Sequence, residues 1–482
     1  MGLMQNITII VFLLNIFLAI TIIFLERRNV TATWSWVLIL FFIPVLGFIL
    51  YLVLGQKLKK RKLTKLLGDH RIIIQSAIEN QAEQMQSNQM EYADPSTATY
   101  RDILYMNLMT SQAIYTSDNE VDIFIDGNEK FDALISDIET ATHHIHLIYY
   151  IVRDDALGRR LMHVLTEKAK QGLEIKFLYD HIGSSRLTKR FFAQFLEAGG
   201  EAVAFFPSRI PYLNLKINYR NHRKLVVIDG RVGYIGGFNI GDEYLGLNKN
   251  LGYWRDTHLK IMGHAVLQMQ AQFLMDWNLA TNSTLELIEP YFPVANYSGN
   301  GIGMQLVSSG PDSEYQQIKN AFIKLIYSAR ETIAFQTPYF IPDESFMTAL
   351  RIAAKCGVDV KIMLPNKPDH FFVYWASNSY LGALLDVGIK VYLYENGFLH
   401  AKTLVVDGKV ASVGTANLDI RSFKLNFEIN AFIYDTRTAV KLMDIFEQDK
   451  EKSTELTKEM YEQRSVANRF KESISRLLSP IL

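Results

Sequence analysis

His222, Lys224 and Asp229 stand in the order His-x-Lys, four residues, Asp, and the same order returns at His400, Lys402 and Asp407. Each copy continues past its Asp with Gly seven residues on and Asn ten residues on, as Gly236 and Asn239 in the first and Gly414 and Asn417 in the second. Two strings with identical internal spacing point to duplicated halves that build one site. An imidazole beside an ammonium suits a phosphate ester: the lysine neutralises non-bridging oxygens, the asparagine donates hydrogen bonds to them, and the histidine attacks phosphorus or carries a proton.

The elements that must position these groups are written into the same strings. Leu225-Val-Val-Ile228 and Thr403-Leu-Val-Val406 are short β-branched runs, and each ends at Asp-Gly, a hairpin-turn signal. Residues i and i+2 of an extended segment share a face, so His and Lys of each copy are expected to project together from the end of a buried strand. Around them the chain alternates strand and helix. From Val121 the order is strand, helix 129–141, strand 144–151, helix 157–171 and strand 173–179. The second half repeats it with helix 313–328, strand 332–337, helix 345–355 and strand 358–364. Ala169-Lys-Gln-Gly172 returns as Ala354-Lys-Cys-Gly357, and Asp154-Asp155 has a counterpart in Asp343-Glu344. That pattern predicts a mixed sheet covered by helices in each half, an α/β sandwich. The stretch from Phe292 to Gly303, rich in Gly, Asn and Ser, is the expected junction, and its glycines match neither a Walker nor a Rossmann spacing.

The paired strings resemble the HKD motifs of the phospholipase D superfamily, and over nearly the whole chain the sequence is similar to the bacterial cardiolipin synthases. The likeness extends to Asn218-Tyr-Arg-Asn221 before the first motif, Gly236-Gly237-Phe-Asn239-Ile-Gly-Asp-Glu243 after it, and Tyr253-Trp254-Arg255-Asp256. It also takes in the entry from Glu26-Arg27-Arg28 to Gly55 and the ending Leu477-Leu-Ser-Pro-Ile-Leu482. The resemblance implies two phospholipase D-like α/β sandwich halves forming one site. It also implies transfer of a phosphatidyl group between two phosphatidylglycerol molecules, giving cardiolipin and glycerol through a phosphohistidine. A membrane-bound hydrolase of the same superfamily is the alternative. Spacing alone does not say which His is the nucleophile; family precedent favours His222, with His400 as acid and then base. Lys224, Asn239, Lys402 and Asn417 would hold the phosphate. Asp256 and Glu428 occupy the positions of the carboxylates that orient the two imidazoles, each inside an apolar run where an unpaired charge is costly. Asp229 and Asp407 complete the catalytic motifs, with a bracing role at the turns. Gly237 stands where Thr415 does in the second copy, so a strictly symmetric phosphate cradle is not expected. No cofactor, nucleotide or metal is required by such an exchange.

Composition frames these expectations. The 482 residues carry formal net charge +0, so no global basic field favours a nucleic acid partner. Cys356 is the single cysteine, which rules out an intrachain disulfide, and packing at a helix end is its expected role. Residues 7–25 and 34–54 hold no charge, and each is about long enough for a ~30 Å hydrocarbon core, with Trp34, Trp36 and Tyr51 as interfacial anchors and Pro44 a kink. Two arginines, Arg27 and Arg28, precede the second span, while Lys57, Lys59, Lys60, Arg61, Lys62 and Lys65 follow it. That asymmetry predicts a multi-pass membrane protein with its catalytic part in the cytoplasm. The resemblance implies the bacterial cell membrane as its location, with phosphatidylglycerol of the bilayer as substrate. The expected organisation is a membrane anchor over 1–65, a connector over 66–118, and first and second phospholipase D-like domains over 119–295 and 296–482. At the end, Val466, Phe470, Ile474, Leu477, Leu478 and Ile481 form one helical stripe opposite Lys471, Glu472 and Arg476. Such a helix either packs on the catalytic part or lies in the plane of a membrane.

Overall fold

The computed structural model describes residues 2–25, 30–43, 46–54, 70–207, 218–283, 285, 288–293, 301–313 and 315–480. The chain separates into two units, Met1–Lys59 with Phe206–Tyr219, and Lys60–Phe205 with Arg220–Leu482.

In the larger unit the β-branched runs pair into a 16-stranded mixed sheet whose order betrays the duplication. From one end it runs Glu201–Phe205, Glu174–Asp180, His144–Tyr149, Leu225–Ile228, Val232–Gly236, His258–Met262 and Thr116–Phe124. From the other end it runs Lys390–Tyr394, Asp359–Pro365, Thr332–Gln336, Thr403–Val406, Val410–Gly414, Asn426–Tyr434 and Ile302–Ser309, with Ser453–Glu455 on its edge. The two series meet where Thr116–Phe124 pairs antiparallel with Ile302–Ser309, at Thr116 with Met304 and Asn119 with Ile302. Gly303, assigned to the junction from composition, belongs to that strand, while 294–300 lie outside the described residues.

Local chemistry explains the repeated phrases. At both Asp-Gly turns the two central residues have positive φ, 52° and 64° at Asp229-Gly230 and 52° and 59° at Asp407-Gly408. That is the turn whose twist suits a two-stranded ribbon. Asp155 and Asp343 cap the helices Ala156–Lys170 and Glu344–Lys355, their side chains accepting from the N–H groups of Gly158 and Phe346. Gly172 and Gly357 follow those helices with φ of 88° and 92°, and a Cβ there would meet nothing, so the demand is for the left-handed backbone alone. Cys356, expected to pack, is exposed, because it caps its helix with the side chain turned outward.

Each half has its own apolar core. Phe131, Leu134, Leu147, Leu165, Phe177 and Val226 fill one. The other, around Val307, Phe322, Leu350 and Val406, also takes Ile78, Met85, Ile103, Leu104 and Leu108. Helices His70–Gln86 and Arg101–Ser111, which the sequence presents as connector, thus complete the core of the C-terminal half.

The smaller unit contains helices Gly2–Leu25, Val30–Phe42 and Leu46–Leu54. The stretch expected as one span over 34–54 is divided between two helices on either side of positions 44 and 45, which lie outside the described residues. Leu18, Ile22, Leu40 and Tyr51 form a small core, and Asn15 Nδ2 donates to Leu40 O at 3.0 Å. Described side chains of the first helix are continuous only over Ile9–Phe24, and among the described residues no helix is long and apolar enough to cross a membrane. Arg27, Arg28 and the basic run 57–65 lie outside the described residues.

Candidate active site

The first motif enters its strand through an extended segment, Arg220–Asn221, that pairs in parallel with Asn426–Phe427 of the other half. The second motif enters through Phe398–Leu399, paired in parallel with Trp254–Arg255. The arrangement is reciprocal: His222 N–H donates to Phe427 O at 3.0 Å, and His400 N–H donates to Arg255 O at 2.7 Å. Each histidine is thereby set beside the carboxylate of the opposite half. His222 Nδ1 lies 2.9 Å from Glu428 Oε1, and His400 Nδ1 lies 2.6 Å from Asp256 Oδ2. Both carboxylates are fully buried, so each needs its imidazole partner as much as it orients it. The bond places the ring proton on Nδ1 and leaves Nε2 of both rings with a free lone pair.

Lys224 and Lys402 are buried alongside, each ammonium donating to the carbonyl of its own motif's histidine. Their positive charges are crowded. Burial first, then the neighbouring Lys402, draw the Lys224 ammonium down to about 7 against the pull of Glu428. Burial likewise brings Lys402 down to about 8. Burial also brings His222 down to about 4 and His400 to about 3, with Lys224 and Lys402 opposing their protonation. Burial works to raise both acids, but Lys402 and His400 hold Asp256 below the carboxylate range, and His222 and Lys224 do so for Glu428. At neutral pH the centre therefore holds two carboxylates, two lysines near their midpoints and two neutral imidazoles. An arriving phosphodiester anion restores full protonation of the lysines, which is the electrostatic form of a phosphate site.

Asp229 and Asp407 sit at the opposite end of the motif strands from the histidines. Asp229 accepts from the N–H groups of Thr142, His143 and His144 at 2.7, 2.8 and 2.9 Å. Asp407 accepts from Arg330, Glu331 and Thr332, all at 2.8 Å. Each clamps the start of the neighbouring strand and reaches no reacting atom, so of the two parts assigned to them only the bracing one has contacts. Asn239 is held inside the first half, its oxygen accepting from Ile151 N–H at 3.1 Å and its nitrogen donating to Tyr244 OH at 3.2 Å. One N–H of Asn239 remains for a ligand. Asn417 is buried with its Oδ1 unpartnered, and its side chain bonds to Asp419, whose carboxyl burial pushes up to about 6.

The asymmetry at Gly237 has a steric cause. A Cβ there would stand 1.9 Å from Asp256 Oδ1. Aspartate is one methylene shorter than glutamate, and its carboxylate occupies the space that the side chain of position 237 would take. Across the site the longer Glu428 leaves room for Thr415, whose hydroxyl bonds to Ile429 N–H and C=O at 2.9 and 3.2 Å.

Several supporting residues carry no motif of their own. Arg223 makes a double contact to Asp276 at 2.6 and 2.7 Å and donates to Glu428 O at 3.2 Å. Arg255 does the same duty for the other couple, pairing with Asp449 at 2.8 Å and donating to Asp256 O. Tyr150 and Trp254 stand edge-on or tilted to His222 and His400, at 4.7 and 5.0 Å between ring centres. A charge at 449 on a largely apolar helix face was the available signal for one aspartate; Asp276 shares its buried face with Gln270, Gln272 and Asn278 and offered none.

Residues 134–277 and 322–450 match the family model described as cardiolipin synthase, PLD-like domain, and 13–56 match a phospholipase D-nuclease N-terminal model. The chain is 54% identical over 483 residues to a cardiolipin synthase of Listeria monocytogenes serotype 4a, covering 100% of both. It is also 54% identical over 472 residues to the major cardiolipin synthase ClsA of Bacillus subtilis, covering 98% of each. Among solved structures, a phosphatidylserine synthase of Haemophilus influenzae covers 79% of this chain and 100% of its own, with a TM-score of 0.61 at 15% identity, a likeness of fold.

Proposed function

The chain belongs to the cardiolipin synthase family of PLD-like proteins, and from that premise we propose that it passes a phosphatidyl group from one phosphatidylglycerol to the headgroup hydroxyl of another. The observation that carries this reading is the crossed pairing of two buried His–carboxylate couples beside two buried lysines. In the first step the anionic phosphodiester offsets the lysine charges that oppose protonation of His400, whose Nε2 takes up a proton from solvent. His222 Nε2 then attacks phosphorus, the bond to the headgroup glycerol breaks, and His400 passes that proton to the departing glycerol. In the second, His400 removes the proton from a hydroxyl of the acceptor lipid. The new P–O bond forms, the P–N bond breaks, and His222 is restored. Lys224 and Lys402, with one N–H of Asn239 and the amide of Asn417, hold the charge that grows on the non-bridging oxygens. One phosphodiester is lost and one gained, so the exchange is reversible and calls for no nucleotide.

The N-terminal segment serves as a membrane anchor with two crossings, about 7–25 and 34–54, and residues after 57 face the cytoplasm. Supporting this are the uncharged segments, the outward Ile9, Phe12, Phe17 and Phe24 of the first helix, the basic run 57–65 and the matched N-terminal family segment. The remainder divides as two phospholipase D-like domains over 119–295 and 296–482, and the segment 66–118 that joins them to the anchor also lends its helices to the core of the second.

The test is product analysis. Purified full-length enzyme given labelled phosphatidylglycerol in bilayers is expected to release cardiolipin and glycerol in nearly equal amounts. Accumulation of phosphatidic acid in place of cardiolipin would overturn synthesis in favour of hydrolysis. In the same assay His222→Ala removes the covalent step, whereas His400→Ala leaves a lipid adduct that mass spectrometry finds on His222; an adduct found on His400 alone would exchange the two roles.

A further inference from the structure

The C-terminal helix Val466–Leu477 is mounted with its apolar stripe facing out. Glu472 and Ser475 are its buried residues, 4% and 1% exposed, while Val466, Phe470 and Leu477 are 82%, 68% and 76% exposed. Its inner edge is fixed against the helix Phe371–Leu385 by polar and cationic contacts. Lys471 lies 4.7 Å over the Trp375 ring, Arg476 lies 4.6 Å over Tyr380, and Tyr380 OH donates to Ser479 at 3.1 Å. A helix that merely completes a core does the reverse.

The outward face has a definite charge character. Arg469 and Arg476 are exposed along one edge of the apolar stripe, Arg476 while its guanidinium also covers Tyr380. The helix has one acid, Glu472, and it is turned inward and paired with Arg464 at 2.9 and 3.0 Å. Apolar residues flanked by arginines, with the carboxylate removed from the surface, fit an anionic headgroup layer over an acyl boundary. The patch continues onto the neighbouring helix, where Phe371 and Phe372 are exposed. These follow closely on Asp369, which accepts a hydrogen bond from Tyr339 and whose charge acts on Lys402. The apolar surface therefore reaches from the C-terminal helix to the neighbourhood of the second motif.

We propose that Val466–Leu477, with Phe371 and Phe372, forms a second membrane contact that seats the catalytic unit on an anionic phospholipid surface beside its own site. Its apolar side chains enter the headgroup–acyl boundary and Arg469 and Arg476 meet lipid phosphates. Its purpose rests on the lipid reading given above, whereas its existence is read without turnover.

The test uses the full chain, reconstituted in vesicles of phosphatidylglycerol and phosphatidylcholine. In a Cys356→Ser background, a small fluorophore is attached at Phe470→Cys, and in a separate protein at Lys409→Cys. Lys409 lies in the turn after Asp407, at the far end of the motif strand from His400, and serves as the water-facing control. Lipids carrying a shallow nitroxide are expected to quench position 470 several-fold more than position 409. Equal, weak quenching at the two positions overturns the proposal. Shielding of position 470 that depends on protein density and not on the nitroxide also overturns it, since a second copy of the chain would then cover the face. A companion pair, Phe470→Asp and Leu477→Asp, is expected to lower turnover in vesicles several-fold and leave turnover of a short-chain, monomeric phosphatidylglycerol unchanged. Loss of both activities in the aspartate variants would assign the helix to the fold and overturn the proposal, whereas strong quenching at 470 in a protein that releases phosphatidic acid and no cardiolipin would count against the synthase reading and not against the docking.

Discussion

At the level of single residues, the crossed carboxylates make the sharpest demands. Glu428 serves His222 and Asp256 serves His400, so Glu428→Gln is expected to disable the histidine of the first motif although it lies in the second half of the sequence. By the precedent of carboxylates that orient a catalytic imidazole, either amide variant is expected to lose roughly 10³–10⁴-fold in kcat with the fold intact. A loss under tenfold from both would mean that the imidazoles hold their tautomers unaided. Gly237→Ala belongs to the same family of effects, because its Cβ would displace Asp256. The lysines set the pH response. Lys224 sits at about 7 and Lys402 at about 8, below the usual lysine value, and phosphate binding uses the protonated form. The kcat/KM profile is therefore expected to fall as pH rises through about 7–8. A Lys224→Arg variant, weaker overall because a planar fork replaces a point charge, is expected to shift that limb upward, since guanidinium stays protonated. An unshifted limb would assign it to another group. Much of this was legible in sequence: both motifs, both carboxylates and the odd glycine. What spacing could not give is which carboxylate meets which histidine, because pairing across two halves is set by the short bridges 220–221 with 426–427 and 254–255 with 398–399, each only two residues long.

At the level of elements, the motif aspartates act as clamps. Each combines a left-handed turn position with three backbone N–H groups accepted by one carboxylate. Asp229→Ala leaves those donors facing an emptied, half-buried site and removes the short polar side chain that lets Asp or Asn tolerate the left-handed backbone there. The expected cost is about 1–3 kcal/mol of stability, read as a lowered Tm. Asp229→Asn, which tolerates the left-handed region and keeps an acceptor, is expected to recover much of it. Activity per folded molecule is expected to change far less than stability. If Asp229→Ala folds with unchanged Tm and yet loses turnover, the aspartate acts on the chemistry instead. The clamps were readable from Asp-Gly turns, as were the aspartate caps at 155 and 343 and the left-handed glycines at 172 and 357. The core contribution of 70–111 was not. Its apolar residues are spread among Gln, Asn and Glu, and their partners, such as Phe322 and Leu325, lie more than two hundred residues away.

For the molecule as a whole, the duplication closes into one sheet at the seam between Thr116–Phe124 and Ile302–Ser309, and both His–carboxylate couples span the halves that the seam joins. Asn119 is fully buried there. Its nitrogen donates to Ile302 O at 2.9 Å, and its oxygen accepts from Ala265 N–H at 3.0 Å, tying the seam strand to the helix that carries Asp276. Asp276 in turn holds Arg223, and Arg223 holds the backbone of Glu428. A disturbance at residue 119 thus has a continuous path of bonded groups to the first motif, and the two halves have no way to keep a complete site apart from each other. Asn119→Ala leaves one buried carbonyl and one buried N–H without partners, at a cost of about 1–3 kcal/mol each. The expected calorimetric record for the catalytic unit is one transition moved to lower temperature as a whole, with enzyme activity lost along the same curve. Two separated transitions, of which the substitution moves only one while activity follows the other, would show that the halves fold independently and that the seam is a contact between finished domains.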